Sequence, residues 1–440
     1  MIKQELLSQL DSRKAGIGII GLGYVGLPLV LRFGEERFKV IGFDVDPQKV
    51  SKLNAGQSYI RHIDPGRLQS LLDIKAFEAT SDFSRLSEAD CIIICVPTPL
   101  TEKKEPDLQY IEKTAQSLVK TLRKGQLISL ESTTYPGTTE EILLELFKTT
   151  GLEVGNDYFL VFSPEREDPG NAKFSTRTIP KIVGGITPNC LEVGRALYGS
   201  VIDRVVTVSS TQAAELVKLL ENIYRCVNIA LVNELKMLTD KMGIDIWEVI
   251  AAASTKPFGF TPFYPGPGLG GHCIPIDPFY LSWKAKEYDF STRFIQLAGE
   301  VNAAIPHYVV ERLTSALNDK GKAVKGSKIL IIGVAYKKDV DDVRESPALE
   351  IMEILQDKGA ILTYSDPYIA RLHKMRKYDF SHMSSAPLTE ELLKKHDAVL
   401  IATDHTGIDY QWLVTNSPLV VDTRNATREV RQGREKIVRA

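Results

Sequence analysis

The chain lacks the features that mark membrane, secreted and nucleic-acid-binding proteins. None of its apolar runs reaches the roughly 18 residues of a membrane-spanning helix. Its opening segment, residues 1–5, is polar and unlike a signal peptide. A formal net charge of -2 over 440 residues leaves no basic footprint for nucleic acid or an anionic membrane surface. These absences predict a cytoplasmic protein that binds neither membranes nor nucleic acid.

Cysteine is also scarce, and its distribution excludes two structural roles. The five cysteines are scattered, with no pair at the spacing of metal ligands. Such usage suits a reducing compartment and argues against both a disulfide framework and a metal site. Cys91, Cys95, Cys190 and Cys226 lie in apolar or helical stretches, where an inert buried thiol is the ordinary interpretation. Cys273 is different.

Cys273 lies in a segment that cannot be the interior of a helix or strand. Residues 265–278 contain four glycines and four prolines around this thiol. Glycines allow backbone amides and a substrate to approach the sulfur, and prolines hold the loop in one conformation, as a nucleophile requires. A buried cysteine in a tight turn is the alternative, but the local sequence favours a reactive thiol.

A dinucleotide-binding fingerprint stands near the start of the chain in its required context. The apolar run 16–20 predicts a strand, and the glycine-rich segment 21–26, Gly-Leu-Gly-Tyr-Val-Gly, follows directly. A predicted helix and a second strand at 39–43 come next, and Asp44 ends that strand. A glycine-rich turn without a ligand is the weaker alternative, because strand, helix and acid are all in place.

The fingerprint residues have separate roles in holding a dinucleotide. Gly21 permits the tight turn, Gly23 lets a pyrophosphate reach the backbone, and Gly26 allows the helix to pack on the strand. The Asp44 carboxylate accepts hydrogen bonds from a ribose and repels a 2′-phosphate, which favours NAD over NADP. The predicted cofactor contacts are Gly21, Gly23, Tyr24, Val25, Gly26, Asp44, Thr98 and Thr133.

Three further predicted strands end in polar residues. They cover about 91–96, 126–130 and 158–162 and are followed by Thr98, by Thr133, and by Glu165 with Arg166. One such strand end is an ordinary solvated loop. Three together indicate a site at the edge of the sheet where cofactors bind.

One long helix is predicted from about residue 209 to 242, without an internal proline. Lys218, Asn222 and Arg225 lie at positions i, i+4 and i+7 and therefore share one face. That stripe is either the solvent-exposed face of the helix or one wall of an active site. Since most of this helix is apolar, it needs more partners than one domain provides, which predicts a homodimer or higher homo-oligomer.

A lysine-rich polar linker near 319–325 precedes a second α/β pattern. The fold class is therefore α/β, with two Rossmann-like doubly wound parallel-sheet domains joined by a central helical region with one long helix. The predicted domains are 1–208, 209–318 and 319–440. In the last domain Lys337 and Arg344 are placed to neutralise a diphosphate, although their mixed Lys/Asp segment also fits an ion-paired loop.

Taken in order, the motifs resemble those of the nucleotide-sugar 6-dehydrogenases, the UDP-glucose/GDP-mannose dehydrogenase family. The resemblance covers nearly the whole chain. It rests on the segments Gly21–Gly26, Glu131–Thr133 and Ser163–Glu165, the pair Lys218 and Asn222, and the segments Gly270–Asp277 and Arg344–Pro347.

The resemblance implies a four-electron oxidation of the C6 alcohol of a UDP-sugar to a carboxylate, with reduction of two NAD. It implies that Cys273 adds to an aldehyde intermediate and forms a thioester. The implied catalytic set is Cys273, Lys218, Asp277, Asn222, Glu165 and Thr133. The implied substrate contacts are Glu165, Arg166, Lys218, Asn222, Arg225, Tyr264, Gly268, Lys337 and Arg344.

Two departures from the glucose-specific pattern resemble the subgroup that acts on UDP-N-acetyl sugars, most of all UDP-N-acetylglucosamine. The segments are 164–170, Pro-Glu-Arg-Glu-Asp-Pro-Gly, and 273–277, Cys-Ile-Pro-Ile-Asp. UDP-N-acetylmannosamine and UDP-glucose stay open as substrates. A two-electron hydroxyacid dehydrogenase or an NAD-binding regulatory protein would not need both Lys218 and Cys273.

The thiol prediction has a direct test, the substitution Cys273→Ser. Serine has nearly the same size but a far higher pKa and poor nucleophilicity, so folding and ligand binding should persist while thioester formation stops. The wild type should release two NADH per UDP-sugar, and quenched enzyme should carry a sugar adduct on this residue by mass spectrometry. If the serine variant still released two NADH per UDP-sugar, Cys273 would not be the nucleophile and the glycine-proline loop would have only a structural role.

Overall fold

The computed structural model describes residues 2–60, 63–101, 105–166, 175–271, 274–375 and 377–440, and the chain forms two compact units. The first unit contains Met1–Glu221 and Phe279–Phe290. The second unit contains Asn222–Pro278 and Ser291–Ala440. The boundary between them falls inside a long helix. The division into three domains at residues 208 and 318 stays a prediction.

The first unit is built on an eight-stranded sheet. In sheet order β3-β2-β1-β4-β5-β6-β7-β8, every neighbouring pair is parallel except β6 and β7. The first six strands follow the order of a dinucleotide-binding sheet. The strands are β1 Gly16–Ile20, β2 Lys39–Phe43, β3 Phe77–Thr80, β4 Cys91–Ile94, β5 Leu127–Leu130, β6 Phe159–Phe162, β7 Lys181–Gly185 and β8 Val205–Val208.

Helices of the first unit connect these strands. They are α1 Ile2–Asp11, α2 Gly26–Glu35, α3 Pro47–Asn54, α4 Pro65–Asp73, α5 Gln109–Val119, α6 Glu145–Lys148 and α7 Pro188–Gly199. A 3₁₀ helix, Phe83–Glu88, precedes β4, and a π-helical turn, Thr139–Leu144, runs into α6. The central strands are buried on both faces, as parallel strands between helices must be, which accounts for their unbroken apolar runs.

The register of the central strands decides where their ends lie. In the parallel ladder Ile94 of β4 pairs with Leu130 of β5, and Leu130 pairs with Phe162 of β6. All three strands therefore end level, and the residues that follow them emerge at one edge of the sheet. This edge is where doubly wound sheets bind their ligands.

The second unit carries a five-stranded parallel sheet in the order β10-β9-β11-β12-β13. This is the other common doubly wound order, so the prediction of two such sheets is confirmed. The strands are β9 Lys328–Ile332, β10 Ile361–Ser365, β11 Ala398–Ile401, β12 Val420–Asp422 and β13 Ile437–Arg439. The remaining helices are α8 Thr211–Met242, α9 Ile246–Ala253, α10 Asp277–Lys284, α11 Arg293–Asn318, α12 Pro347–Asp357, α13 Glu390–Lys395 and α14 Tyr410–Asn416; 3₁₀ helices cover Ala285–Tyr288 and Arg434–Lys436.

The predicted long helix is present as α8, 32 residues long, but it is not the only long one in the described chain. A second, α11, has 26 residues and contains Pro306. A proline inside a helix removes one backbone hydrogen bond and ordinarily marks a helix end, which hides this helix in the sequence. Here Pro306 and its neighbour Ile305 are buried. No helix in the described part of the chain is both long and apolar enough to cross a membrane.

The turn between β1 and α2 has the geometry that the fingerprint predicts. Gly21 has a φ of +91°, and a Cβ added there would lie 2.5 Å from the Cys95 carbonyl oxygen. After β2, the buried Asp44 carboxylate accepts hydrogen bonds from the backbone amides of Leu22 at 3.0 Å and Asp46 at 2.9 Å. Asp44 therefore ties the glycine-rich turn to the end of β2 as well as presenting charge at that edge.

The substitution Asp44→Asn separates these two roles of Asp44. The amide oxygen of asparagine can still accept a hydrogen bond from the Leu22 amide. The substitution removes the negative charge, which would repel a 2′-phosphate at about 4 Å by about 4 kcal/mol in a partly hydrated site. We expect the preference for NAD over NADP in kcat/KM to narrow by about tenfold or more. Asp46→Asn, at a neighbouring carboxylate that caps α3, is the control. An unchanged NAD/NADP ratio in Asp44→Asn would remove Asp44 from the ribose site.

Candidate active site

The start of α2 has no side-chain cap and lies beside the glycine-rich turn. The helix begins at Gly26, and the residue before it, Val25, makes no side-chain cap. An added Cβ at Gly23 would meet no atom within 4 Å, so there is open space where the pyrophosphate is predicted. Tyr24 belongs to the same turn. An uncapped helix N-terminus beside open space fits the diphosphate of a dinucleotide.

Thr98 and Thr133 follow β4 and β5, two neighbouring strands of the first sheet. Thr98 is buried, and its carbonyl accepts a hydrogen bond from the Tyr280 hydroxyl at 2.7 Å. Thr133 is half-buried in the turn after β5. Because β4 and β5 end level, the two threonines emerge at the same edge as the glycine-rich turn, as predicted for residues near the cofactor.

Glu165 and Lys218 form a mostly buried ion pair within the first unit. The Lys218 Nζ lies 3.2 Å from Glu165 Oε2, and their side chains are only 6% and 15% exposed. Glu165 comes from the segment after β6, whereas Lys218 comes from the second turn of α8. Burial leaves such a pair weakly screened by salt. The structure thus brings together two residues that the motifs place 53 positions apart.

Asn222 and Asp277 meet within the second unit. The Asn222 Nδ2 donates a hydrogen bond to Asp277 Oδ2, and both side chains are buried. Arg225, one turn further along α8, donates to Asn222 Oδ1. The amide of Asn222 is therefore oriented from both ends, while one of its two N–H groups is not needed for the bond to Asp277. The second N–H group of Asn222 is therefore suited to donate a hydrogen bond to an oxyanion.

Arg166 is engaged by protein groups of the first unit. Its guanidinium pairs with Glu221 at 2.6 Å and donates to the Pro180 carbonyl oxygen at 2.7 Å. These bonds fix the segment that carries Glu165. Substrate binding by Arg166 stays a prediction.

Cys273 and His272 lie outside the described residues, but both flanks of the thiol loop are described. The backbone amide of Gly266 donates to Asn233 Oδ1 of α8 at 3.0 Å. The amide of Gly271 donates to the Arg344 carbonyl oxygen at 3.1 Å. The loop is therefore anchored at its start on the long helix and, just before the thiol, on the predicted UDP-binding segment.

Two further loop residues were predicted to contact substrate. Gly268 has a φ of +133°, and an added Cβ would lie 3.0 Å from the Pro347 side chain, so only glycine fits there. The Tyr264 ring stacks on Trp247 with centroids 5.8 Å apart and is about half exposed. The exposed face of Tyr264 is available to a planar base.

The predicted diphosphate-binding turn after β9 contains ion pairs. Arg344 pairs with Asp342 at 2.6 Å, and Lys338 lies 3.8 Å from Asp404. The ion-paired loop considered from the sequence is thus present in part. The Arg344 side chain is nevertheless 43% exposed, so its guanidinium remains accessible to a phosphate. Lys337 is half-buried in the same turn.

One buried ion pair at the candidate site was missed by the sequence analysis. Lys181, at the start of β7, contacts Glu131, which directly follows β5, at 2.6 Å. Glu131 belongs to the segment Glu131–Thr133, one of the motifs that carry the family resemblance. A glutamate at the end of an apolar strand indicates a buried partner. Lys181 carries no such signal, because a lysine before a strand is ordinarily a surface residue.

Comparison with known proteins agrees with this geometry. Three models of the UDP-glucose/GDP-mannose dehydrogenase family match the chain: the NAD binding domain over residues 15–202, the central domain over 212–304 and the UDP binding domain over 330–429. Together they span all the elements that carry the candidate site.

Individual relatives are similar over nearly their full length. A UDP-N-acetyl-D-glucosamine 6-dehydrogenase of Pseudomonas aeruginosa is 33% identical, over 89% of this chain and 90% of its own. An NDP-N-acetyl-D-galactosaminuronic acid dehydrogenase of Ralstonia nicotianae is 34% identical, over 93% and 95%. The structure of a UDP-D-ManNAc dehydrogenase from Pyrococcus horikoshii superimposes with a TM-score of 0.86 at 31% identity, over 96% and 98%. The chain therefore belongs to the UDP-glucose/GDP-mannose dehydrogenase family and is a nucleotide-sugar dehydrogenase with an NAD-binding domain and a UDP-binding domain.

Proposed function

We propose that the chain oxidises the C6 alcohol of UDP-N-acetylglucosamine to the uronic acid, in two NAD-linked steps through a Cys273 thioester. The product would serve as a precursor of a polysaccharide such as O-antigen or capsule. The observation that carries the proposal is the mostly buried Glu165–Lys218 pair at the edge where the central strands end. It provides an acid–base group and a cation together, which both the alcohol oxidation and the thioester hydrolysis require.

The first oxidation needs a path for the alcohol proton. NAD would supply the hydride acceptor for C6, and the alcohol becomes an aldehyde as its hydroxyl proton leaves. We assign the developing oxyanion to the Lys218 ammonium group and to the free N–H of Asn222. Asp277, hydrogen-bonded to Asn222, would orient the water that takes the proton.

The second oxidation needs a covalent intermediate. The Cys273 sulfur adds to the aldehyde carbon and gives a thiohemiacetal, whose carbon loses a second hydride and becomes a thioester. Water then breaks the carbon–sulfur bond, releasing the carboxylate and restoring the thiol. Glu165 would take the proton of that water while Thr133 holds its oxygen. The complete reaction consumes one alcohol, two NAD+ and one water and yields one carboxylate, two NADH and three protons.

The sugar assignment rests on sequence departures near the reacting centre. Ile276 stands between Pro275 and Asp277, where the glucose-specific pattern has a lysine, so this position makes room for a neutral acetamido group. The similar Pseudomonas enzyme acts on UDP-N-acetyl-D-glucosamine by its name. A second candidate is UDP-N-acetylmannosamine, favoured by the superposition on the Pyrococcus structure. These two sugars differ in configuration at C2.

We propose further that α8 pairs with α8 of a second copy. Apolar side chains along this helix are exposed in the single chain at a spacing of three, four or seven residues, with Leu220 62% exposed. They form one stripe: Leu216, Leu220, Tyr224, Leu231, Leu235, Leu238 and Met242. An apolar stripe of about 40 Å is more than a monomer ordinarily exposes. In a two-fold symmetric dimer the stripe of one copy would pack against the same stripe of the other copy, so both would be buried.

Oligomerisation is tested by placing charge on the stripe. Wild type should elute with at least twice the chain mass of 49.0 kDa in light scattering, whereas Leu220→Asp with Leu231→Asp should shift the mass towards one chain. Lys241→Asp, on an exposed residue outside the stripe, should leave the mass unchanged. A monomeric wild type at micromolar concentration would exclude the proposed pairing.

The substrate assignment is tested with three nucleotide sugars. Purified protein should show its highest kcat/KM with UDP-N-acetylglucosamine and release two NADH per sugar. A preference for UDP-N-acetylmannosamine or UDP-glucose would overturn the sugar assignment and leave the chemistry standing. One NADH per sugar, or none with all three substrates, would contradict the four-electron reaction.

A further inference from the structure

A buried polar network lies inside the first unit near Glu165. Both Glu131 carboxylate oxygens are bonded, one to Lys181 Nζ and one to the Tyr198 hydroxyl, each at 2.6 Å. The same hydroxyl lies 2.7 Å from Ser129 Oγ, and the Lys181 Nζ sits 5.1 Å from the centre of the Tyr198 ring. Glu131 is 1% exposed and Lys181 is 7% exposed. Burial and then the Glu131 carboxylate raise the pKa of the Tyr198 hydroxyl well above its usual value, so it donates as a neutral group.

The ion pair bridges strands that are not neighbours in the sheet. Glu131 follows β5, and β6 lies between β5 and β7. Since β7 runs antiparallel to β6, its first residue, Lys181, stands at the edge where β6 ends. The Lys181–Glu131 contact therefore passes across the end of β6, where the segment containing Glu165 leaves the sheet.

The residues on either side of Lys181 hold that segment directly. Ser163 Oγ donates to the Ile182 carbonyl oxygen at 2.7 Å, and Arg166 donates to the Pro180 carbonyl oxygen at 2.7 Å. Residues 163–166 are thus fastened at both ends to residues 180–182. The side chain in the middle of that stretch, Lys181, is in turn fixed to Glu131, two positions before Thr133.

The ion pair and Glu165 line the same small cavity. It measures about 20 Å³ and is lined by the side chains of Glu131, Lys181, Glu165 and Arg166 among others. This volume is enough for about one water molecule and far too small for a sugar. The ion pair and Glu165 are therefore near neighbours within the first unit, with little space between the cavity walls.

A buried ion pair is a costly way to fill this space. Apolar side chains of equal volume are often as stable, because the desolvation of two charges offsets their attraction. An ion pair with hydrogen bonds adds direction, since it fixes the distance and orientation of the groups it joins. Catalytic groups need a fixed position and orientation, because a displacement of about 1 Å can lower the rate on the order of a hundredfold.

We propose that Lys181 and Glu131 are positioning residues that hold Glu165 and Thr133 in place for thioester hydrolysis. This inference rests on the proposed function, which assigns the hydrolytic step to Glu165 and Thr133. Neither Lys181 nor Glu131 is proposed to touch the substrate.

The double substitution Glu131→Gln with Lys181→Met tests the proposal. It removes both charges together with little change in volume, so folding should survive where a single substitution leaves an unpaired buried charge. We expect kcat to fall by about 10- to 100-fold, with the KM for the UDP-sugar within about threefold of wild type because the proposed UDP contacts are untouched. Quenched enzyme should accumulate the Cys273 sugar adduct during turnover, because hydrolysis is the slowed step.

Lys236→Met with Asp240→Asn is the matched control, since Lys236 and Asp240 form a mostly buried ion pair in the second unit. It should lower the melting temperature without accumulating the adduct. Wild-type kcat in the Glu131→Gln, Lys181→Met variant, or equal adduct accumulation in the control variant, would overturn the positioning role.

Glu165→Gln separates this inference from the proposed function. If Glu165→Gln hydrolyses the thioester at the wild-type rate, the role proposed for Glu165 is wrong whatever the Glu131→Gln, Lys181→Met variant does. If Glu165→Gln accumulates the adduct and the Glu131→Gln, Lys181→Met variant does not, the proposed function stands and the positioning role falls.

Discussion

The level ends of β4, β5 and β6 are the constraint on which the candidate site depends. Parallel pairing in register brings the residues after these strands to one edge, although they are distant in the chain. A slip of one residue would turn every side chain of a strand to the opposite face of the sheet. At this edge the ion pair between Lys181 and Glu131 joins the start of β7 to the end of β5. The segment that bears Glu165 leaves β6, which lies between these two strands.

Both sheets use a carboxylate after the second strand to hold the turn after the first. In the first unit Asp44 accepts from the Leu22 amide. In the second unit Asp366 accepts from the amides of Val334 and Ala335 at 2.8 and 3.0 Å. Burial opposes ionisation of Asp366, but hydrogen bonds from His405 and from the backbone amides of Ala335 and Tyr368 outweigh it and hold the pKa of Asp366 below its usual value.

The two turns differ in what lies beside them. The first residues of the two turns, Gly21 and Gly333, are both crowded, since an added Cβ would lie 2.5 Å from the Cys95 carbonyl oxygen or from the Thr403 side chain. Two residues further on, space is open next to Gly23, whereas the second turn has the buried Ala335. The second turn continues into a basic segment that includes Lys337 and Lys338. The same arrangement of backbone bonds therefore supports a glycine-rich turn in one sheet and a cationic turn in the other, within the regions that match the NAD-binding and UDP-binding models.

Glycine in the thiol loop has a structural reason as well as a chemical one. An added Cβ at Gly270 or Gly271 would lie 2.8 or 2.9 Å from Tyr336 side-chain atoms, so the loop packs closely on the turn after β9. The bond from Gly271 to the Arg344 carbonyl joins the same two segments. The chain leading to Cys273 is thus held by the segment that is predicted to bind UDP.

The sequence by itself determined the features that depend on local pattern. Unbroken apolar runs predict the buried parallel strands, the glycines of 21–26 predict the turn before α2, and the ordered motifs indicate the family. Only the tertiary structure revealed the long helix around Pro306, because the residue that ordinarily ends a helix is tolerated there in a packed interior.

Tertiary structure alone also decided which charged residues are buried and with whom. Lys181 meets Glu131 across 50 residues of sequence, and Arg166 meets Glu221 across 55. A charge is buried only when a partner and hydrogen bonds offset its loss of water, and that partner is supplied by the fold. Local composition carries no record of a partner so distant in the chain, so the candidate site residues could be predicted from the sequence and their buried partners could not.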